Sequence, residues 1–499
     1  MAGLTRLAPF FGIIGLIAAL SIYAFIKKQP NSNNRLQQLE QTLNNGVMAF
    51  LVKEYSMLAL FAAAVFIILW LTLKEWQTSL AFVSGALCSV VACYSGMTAI
   101  LNSNSKILET ANRSELVKAR NEAFLSASVM GLTVAGLGLL GVGIWFFIYG
   151  SDALMIRRIT GFALGASSAA LFARLSGGIF SRAASFGTEI ACRMEAGIPY
   201  NSPQNPGVIA RSAATSIVDI AGMGADLFES FAGSVIAAIF IGATFSVSSD
   251  IITLFPDLKP VSIEEAINII RLKYMALPVL IIIAGLLSSI AALFSIKISR
   301  GTDSFRMHRY AVLSAAGVFL IISAAIITAF GMPFGTFWAL FSGLVCGIAA
   351  GFSAGYYTLG ERAGYIAAHS KTGAAAGIMA GLSAGMLSTY IPAACICAAT
   401  LTGYMASGAY GTALAAVGMI ATIGINMTVH GFSPVARNAQ TMSEMAGLSP
   451  ETASIAKQLD SPEKGGSSAG KVFASVSAAL TALALFYAFV QSIQVSHPE

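Results

Sequence analysis

Three acids stand close together in an otherwise apolar stretch: Asp219, Asp226 and Glu229, spaced i, i+7 and i+10. On an α-helix this spacing confines them to one face about 80° wide, with the two aspartates roughly 10 Å apart along the axis. The residues around them read as a membrane-crossing helix, where each unpaired acid costs about 2.5–3.5 kcal/mol. Such a stripe has to face a hydrated path or a basic partner. Two readings stand side by side: an ion pathway or set of metal ligands, or the remnant of one held by water and neighbouring hydroxyls. Upstream, Glu189, Arg193 and Glu195 are spaced i, i+4 and i+6. The first two can pair along one helix face, and on their own they suggest only a solvated salt bridge.

The elements that must position these groups follow from composition. Of 499 residues, 56% are hydrophobic and only 10% charged, and mean hydropathy is +0.76. Soluble domains carry about a quarter charged residues, so this chain is not a water-facing globule. Apolar runs of 18 or more residues recur, each long enough to cross about 30 Å of hydrocarbon. The fold class is therefore all-α, a polytopic membrane bundle of about twelve transmembrane helices lying in a lipid bilayer. Spans are expected near 7–26, 55–73, 77–101, 124–149, 158–180, 208–247, 274–296, 310–330, 335–358, 373–393, 394–429 and 469–491. The first could be taken for a signal peptide, but it is long and has no small-x-small cleavage site before Lys27 and Lys28. The sixth and eleventh exceed the bilayer and are expected to project from it as continuous helices. The chain reads as one membrane domain, 1–499. Helices 1–4 occupy 1–150, helices 5–6 with a central loop 151–250, helices 7–10 251–393 and helices 11–12 394–499.

Charge placement orients the bundle. The polar segments 27–54, 102–122, 181–212, 297–309, 359–372 and 430–471 hold 21 Lys and Arg, against seven in the alternate set. The positive-inside rule then puts the first set, including the 181–212 loop, in the cytoplasm and both termini outside. The net charge of +6 belongs to these loops. No basic cluster is interleaved with aromatics, so nucleic-acid binding is excluded as a function class. The six Cys form no CxxC pair and read as small apolar packing, and the four His show no ligand spacing. Small residues crowd 373–385 and 403–424, as close helix packing in lipid requires.

Longer motifs carry a resemblance. Ala196 to Ala210 reads AGIPYNSPQNPGVIA, and Asp219 to Phe231 reads DIAGMGADLFESF. With LNNGVMAFLVKEY (43–55), KEWQTSLAFVSGA (74–86), SVMGLTVAGLGLLG (128–141), KTGAAAG (371–377), SPVARNAQTMSEM (433–445) and SAALTALALF (477–486), they cover nearly the whole chain. In these the sequence resembles the membrane-integral pyrophosphatases, pumps that couple pyrophosphate hydrolysis to H+ or Na+ export. The resemblance implies a sixteen-helix homodimer whose cytoplasmic funnel holds Mg2+ and pyrophosphate above a gate. It places Asp226, Glu229 and Ser230 at the gate, with Arg174 and Lys471 also matching, and Asp219 as the catalytic remnant.

The departures from the family pattern fall on its acids. Where the family reads DxxxDxxxKxE, this chain has Ser185, Glu189, Arg193 and Glu195. Its DNxGDNxGD is here Arg211 to Asp219, and only the final Asp survives. Its DSYGPIADNAGG is His430 to Thr441, with Arg437 and no acid. Its GNTTAAxGK is Glu463 to Lys471. The sequence ends at Glu499, before the family's last four helices and their DNAKK and GDxxGDPxKDTxGPS motifs.

Pyrophosphate with several Mg2+ ions needs a cage of hard oxygen ligands, and hydrolysis a carboxylate that positions water. Glu195 and Asp219 are the remaining metal ligands, and Arg211 and Arg437 bring positive charge where cations should sit. The expectation is a member of that family that does not hydrolyse pyrophosphate by itself. Arg174, Glu189, Arg193, Glu195, Arg211, Arg437 and Lys471 are then substrate- or anion-facing groups for pyrophosphate or phosphate. A homodimer partner or another membrane protein is expected to cover the flank left by the last helices. Two alternatives are a true pump completed by a separate polypeptide and a passive ion pathway along Asp219–Glu229.

Overall fold

A computed structural model describes residues 2–29, 33–152, 155–194, 202, 205, 207–244, 263–294, 304–358, 361–460 and 464–496. Among the described residues every regular element is helical. The membrane-crossing helices are α1 (Ala8–Lys27), α2 (Asn34–Leu73), α3 (Trp76–Leu101), α4 (Leu116–Tyr149), α5 (Thr160–Met194) and α6 (Gly207–Ala243), then α7 (Ile263–Leu293), α8 (Ser304–Ala329) and α9 (Gly335–Thr358). The last three are α10 (374–406, with a turn at Thr389), α11 (409–446, with a turn at 421–422) and α12 (Lys464–Ser496). Eleven apolar stretches among the described residues are long enough to cross a membrane, because Ala374–Ile420 is continuous by hydropathy. The protein is an integral, multi-pass membrane protein.

The expected division between 393 and 394 is corrected. The backbone leaves the helix at Ser407 (φ −155°) and Gly408 (φ 62°), and Gly403 and Gly411 meet across the bend. Only a residue without Cβ takes the left-handed conformation at no steric cost. Hydropathy could not find this reversal, because the sequence is apolar on both sides of it.

Helices also run past their apolar cores. The 40 residues of α2 span about 60 Å, twice the hydrocarbon thickness. Its start is set at Asn33, whose side chain accepts hydrogen bonds from the amides of Arg35 and Leu36 at 3.0 and 3.3 Å. Likewise α5 continues to Met194, so much of the expected 181–212 loop is helix. Polar residues with ordinary helix propensity extend a helix that lipid has already nucleated.

The basic segments gather at one end of the bundle. Lys106 Nζ donates to the carbonyls of Ile26 and Lys27 at 3.1 and 3.0 Å, and Arg35 donates to that of Met445 at 3.2 Å. Thr452 donates to Asn112 at 2.8 Å nearby. Arg158 meets Glu75 at the other end.

The site-bearing helices are brought together by small residues. α4 crosses α11 with Gly131 against the Gly424 carbonyl, so close that a Cβ on Gly131 would overlap the oxygen. In lipid no hydrophobic drive replaces such contact. Gly131→Ala is therefore expected to destabilise the chain by about 1–3 kcal/mol, read as a lower unfolding midpoint in detergent. An unchanged midpoint would show that the crossing is loose.

Candidate functional site

Asp219 lies on a single π-helical turn, Ile217–Gly222, inside α6. Such turns are rare and widen the helix locally. Asp219 is 2% exposed, and both of its oxygens are taken: Oδ2 by Arg437 Nη1 at 2.9 Å from α11, Oδ1 by Lys471 Nζ at 3.1 Å from α12. Its backbone carbonyl accepts a hydrogen bond from His430 Nε2 at 2.9 Å. That bond places the imidazole proton on Nε2. The ring fits only because residue 470 is glycine, since a Cβ there would collide with it.

Hydroxyl and amide groups tie α6 to α11 beside this centre. Ser212 and Ser216 donate to Asn438 Oδ1 at 2.9 and 3.1 Å. A cleft of about 230 Å³ opens next to them, lined by Arg211, Ser212, Thr215, Arg437, Gln440 and Glu444 among others. Two cations, Arg211 and Arg437, and one acid, Glu444, line it, and Arg437 also carries the ion pair to Asp219 outside the lining. The arrangement offers donors and positive charge to an oxyanion.

Further along α6, Asp226 pairs with Arg174 of α5 at 3.3 Å, and the Arg174 side chain is 67% exposed. Glu229 faces Ser167 and Arg174. Ser230 turns the other way: its hydroxyl accepts from Ser477 and its carbonyl from Thr481, both at 3.3 Å, on α12. The one-face stripe expected from a uniform helix is thus corrected. Asp219 looks to α11 and α12, whereas Asp226 and Glu229 look to α5, because the wide π turn rotates the remainder of α6.

Glu189 and Arg193 are exposed near the end of α5 and, among the described residues, do not form the pair that their spacing allows. Glu195 lies outside the described residues. Asn438, Ser212, Ser216 and His430 are site residues that sequence reasoning passed over. Only the four-residue spacing of the two serines hinted at a shared face.

The family described as Inorganic H+ pyrophosphatase matches residues 13–498. The chain belongs to that family. It is 36% identical, over 97% of its length and 69% of the relative's, to a putative K(+)-stimulated pyrophosphate-energized sodium pump of Clostridium tetani. It is 32% identical, over 98% of its length and 71% of the relative's, to K(+)-insensitive pyrophosphate-energized proton pump 2 of Moorella thermoacetica. A proton pump of Methanosarcina mazei is 31% identical over 96% of the chain and 69% of its own length.

Membership raises the question of Mg2+, which pyrophosphatases of this family generally use. Hard divalent cations are held by several oxygen ligands, carboxylates foremost. Among the described residues no three of His, Cys, Asp and Glu converge. Asp219 already gives both oxygens to cations, and Glu444, the acid that lines the cleft, accepts from Gln440. The described residues of this pyrophosphatase-family chain do not fit a magnesium cage.

Proposed function

We propose that this membrane pyrophosphatase-family protein binds a phosphate-type oxyanion, pyrophosphate foremost, through its own cations and does not hydrolyse it unaided. The observation that carries the reading is the neutralisation of Asp219 by Arg437 and Lys471. A carboxylate flanked by two cations has little attraction left for a third, divalent one, because like charges at this range repel strongly in a partly buried setting. The same cations are well suited to an anion: Arg437 presents a planar fork of donors and Lys471 a mobile ammonium. Ser212 and Thr215 also line the cleft, with their hydroxyl protons given to Asn438 and to the Arg211 carbonyl.

Among the described residues the chain then has groups for a binding step but not for the chemical one. Phosphoanhydride cleavage calls for a nucleophilic water held by a base and for charge stabilisation on both bridging partners. Asp219 cannot serve as that base while it is hydrogen-bonded to two cations, and the acid among the described residues lining the cleft is Glu444, which accepts from Gln440 at 3.0 Å. Asp226, Glu229 and Arg174 form a separate charged layer further along α6, in keeping with a retained ion-gate role.

The test is phosphate release by the purified full chain in lipid with Mg2+ and pyrophosphate. No release above the blank is expected. Sustained release that Asp219→Asn abolishes would overturn the reading.

A further inference from the structure

A second carboxyl group lies buried outside the cleft and beside the Arg174–Asp226 pair. Glu54 sits on α2, about 30 Å of helical rise from its first residue, on a helix whose neighbouring Val52 and Met57 are largely exposed. Glu54 itself is 6% exposed, and its Oε2 has no hydrogen-bond partner among the described residues. Its carboxyl faces the Ser176 hydroxyl of α5. Two ring contacts bracket this pair along the α2–α5 seam: Phe50 with Phe180 at 4.9 Å and Phe61 with Phe172 at 5.1 Å.

The remaining neighbours among the described residues bring no positive charge. Cys93 of α3 stands between Glu54 and Asp226, with its sulfur 3.4 Å from the Ala221 carbonyl. The Tyr55 ring lies beside Glu54, Cys93 and Tyr94. The cation of this layer, Arg174, is engaged by Asp226. An ionised carboxylate here would be buried unpaired, at a far greater cost than its protonated form.

Ser176 supplies the second argument. Its Oγ donates to the Phe172 carbonyl at 2.6 Å, so its single proton is spent. Toward Glu54 it then presents lone pairs, which suit a protonated carboxyl better than a carboxylate. If Glu54 loses its proton, the Ser176 hydroxyl can swing from Phe172 to the carboxylate, while the Phe172 carbonyl keeps its helical bond. The serine thus serves either protonation state.

We infer that Glu54, with Ser176 as its switching partner, is a proton-binding site in the α2–α5 seam beside the Arg174–Asp226 pair. Its ligand is a proton alone. One carboxyl between aromatic rings has neither the oxygens nor the charge to hold a metal cation. The site stands whether or not the chain hydrolyses pyrophosphate.

Infrared spectroscopy of the full chain in liposomes tests it through the carbonyl absorption of protonated carboxyl groups. A band is expected that shifts in D2O, is missing in Glu54→Gln, persists in Glu229→Gln and moves in Ser176→Ala. Should Glu54→Gln fail to fold, Glu54→Asp is expected to keep the band at a displaced position. A band that survives Glu54→Gln, ignores Ser176→Ala and Glu54→Asp, or never exchanges its proton for deuterium would overturn the assignment. None of these readouts depends on phosphate release or pyrophosphate binding, so failure here and failure of the anion-site reading are separable.

Discussion

Replacing Arg437 and Lys471 together by alanine is expected to lower stability by about 3–5 kcal/mol, the usual cost of stranding a buried charge. Asp219 is 2% exposed, so without its cations it would be a buried anion with no positive group on either oxygen. Each single replacement is expected to cost much less. The surviving cation still meets one oxygen, and at 37% and 54% exposure Arg437 and Lys471 are partly screened by solvent. The two effects are therefore strongly non-additive, with a coupling on the order of 0.5–3 kcal/mol. Adding Asp219→Asn to the double variant removes the stranded charge and is expected to recover most of the loss. Equilibrium unfolding in mixed detergent checks all four chains. Additive single effects, or no rescue by Asp219→Asn, would mean that the cations stabilise the bundle by packing rather than charge.

The second large effect concerns the anion. Arg437→Ala is expected to weaken pyrophosphate binding about 10–100-fold, because a hydrogen bond to a charged group contributes about 1.5–3 kcal/mol and each 1.4 is tenfold. Thr215→Ala, which removes a neutral hydroxyl whose proton goes to the Arg211 carbonyl, is expected to cost only a few-fold. Asp219→Asn should act in the opposite direction. The aspartate and the ligand compete for the same guanidinium and ammonium, so its neutralisation frees both for the anion. An Asp219→Asn chain that binds pyrophosphate more weakly would place the acid among the ligand's own supports, through a bridging cation.

Much of the architecture is legible in the sequence, and the reasons are physical. Apolar runs must be as long as the bilayer is thick, so eleven of the twelve crossings can be located from hydropathy within the helices that form. Lys and Arg segregate along the chain, and the contacts of Lys106 and Arg35 gather those segments at one end. What hydropathy cannot see is a turn within apolar sequence, and so the reversal at Ser407 and Gly408 lies away from the expected division. The site is legible as a set of residues but not as an arrangement. The spacing of Asp219 and Asp226 assumes a uniform helix, and nothing in Ile217 to Gly222 announces a π turn. Nor can spacing join Asp219 to Arg437 and Lys471, more than 200 positions away. Glu54 is hidden differently: it stands within a motif, KEY, whose lysine and tyrosine suggest an ordinary interfacial segment, and only the packing of α5 over α2 buries it.

The electrostatic logic of the cleft also explains which groups the chain keeps. His430 occupies a position where the family pattern has an acid, and it serves as a neutral donor to the Asp219 backbone rather than as a metal ligand. Asn438 holds Ser212 and Ser216 in the same register. These bonds join α6 to α11. The wall is held in place by the chain's own donors, which leaves the positive charge directed at whatever enters the cleft.

The central claim is that positive side chains, not magnesium, hold the anion. Calorimetric titration of the purified full chain with pyrophosphate, run with and without Mg2+, tests it most directly. Binding of similar strength in both conditions, weakened by Arg437→Ala, is the expected result. Binding that appears only when Mg2+ is present, and that survives Arg437→Ala, would contradict it.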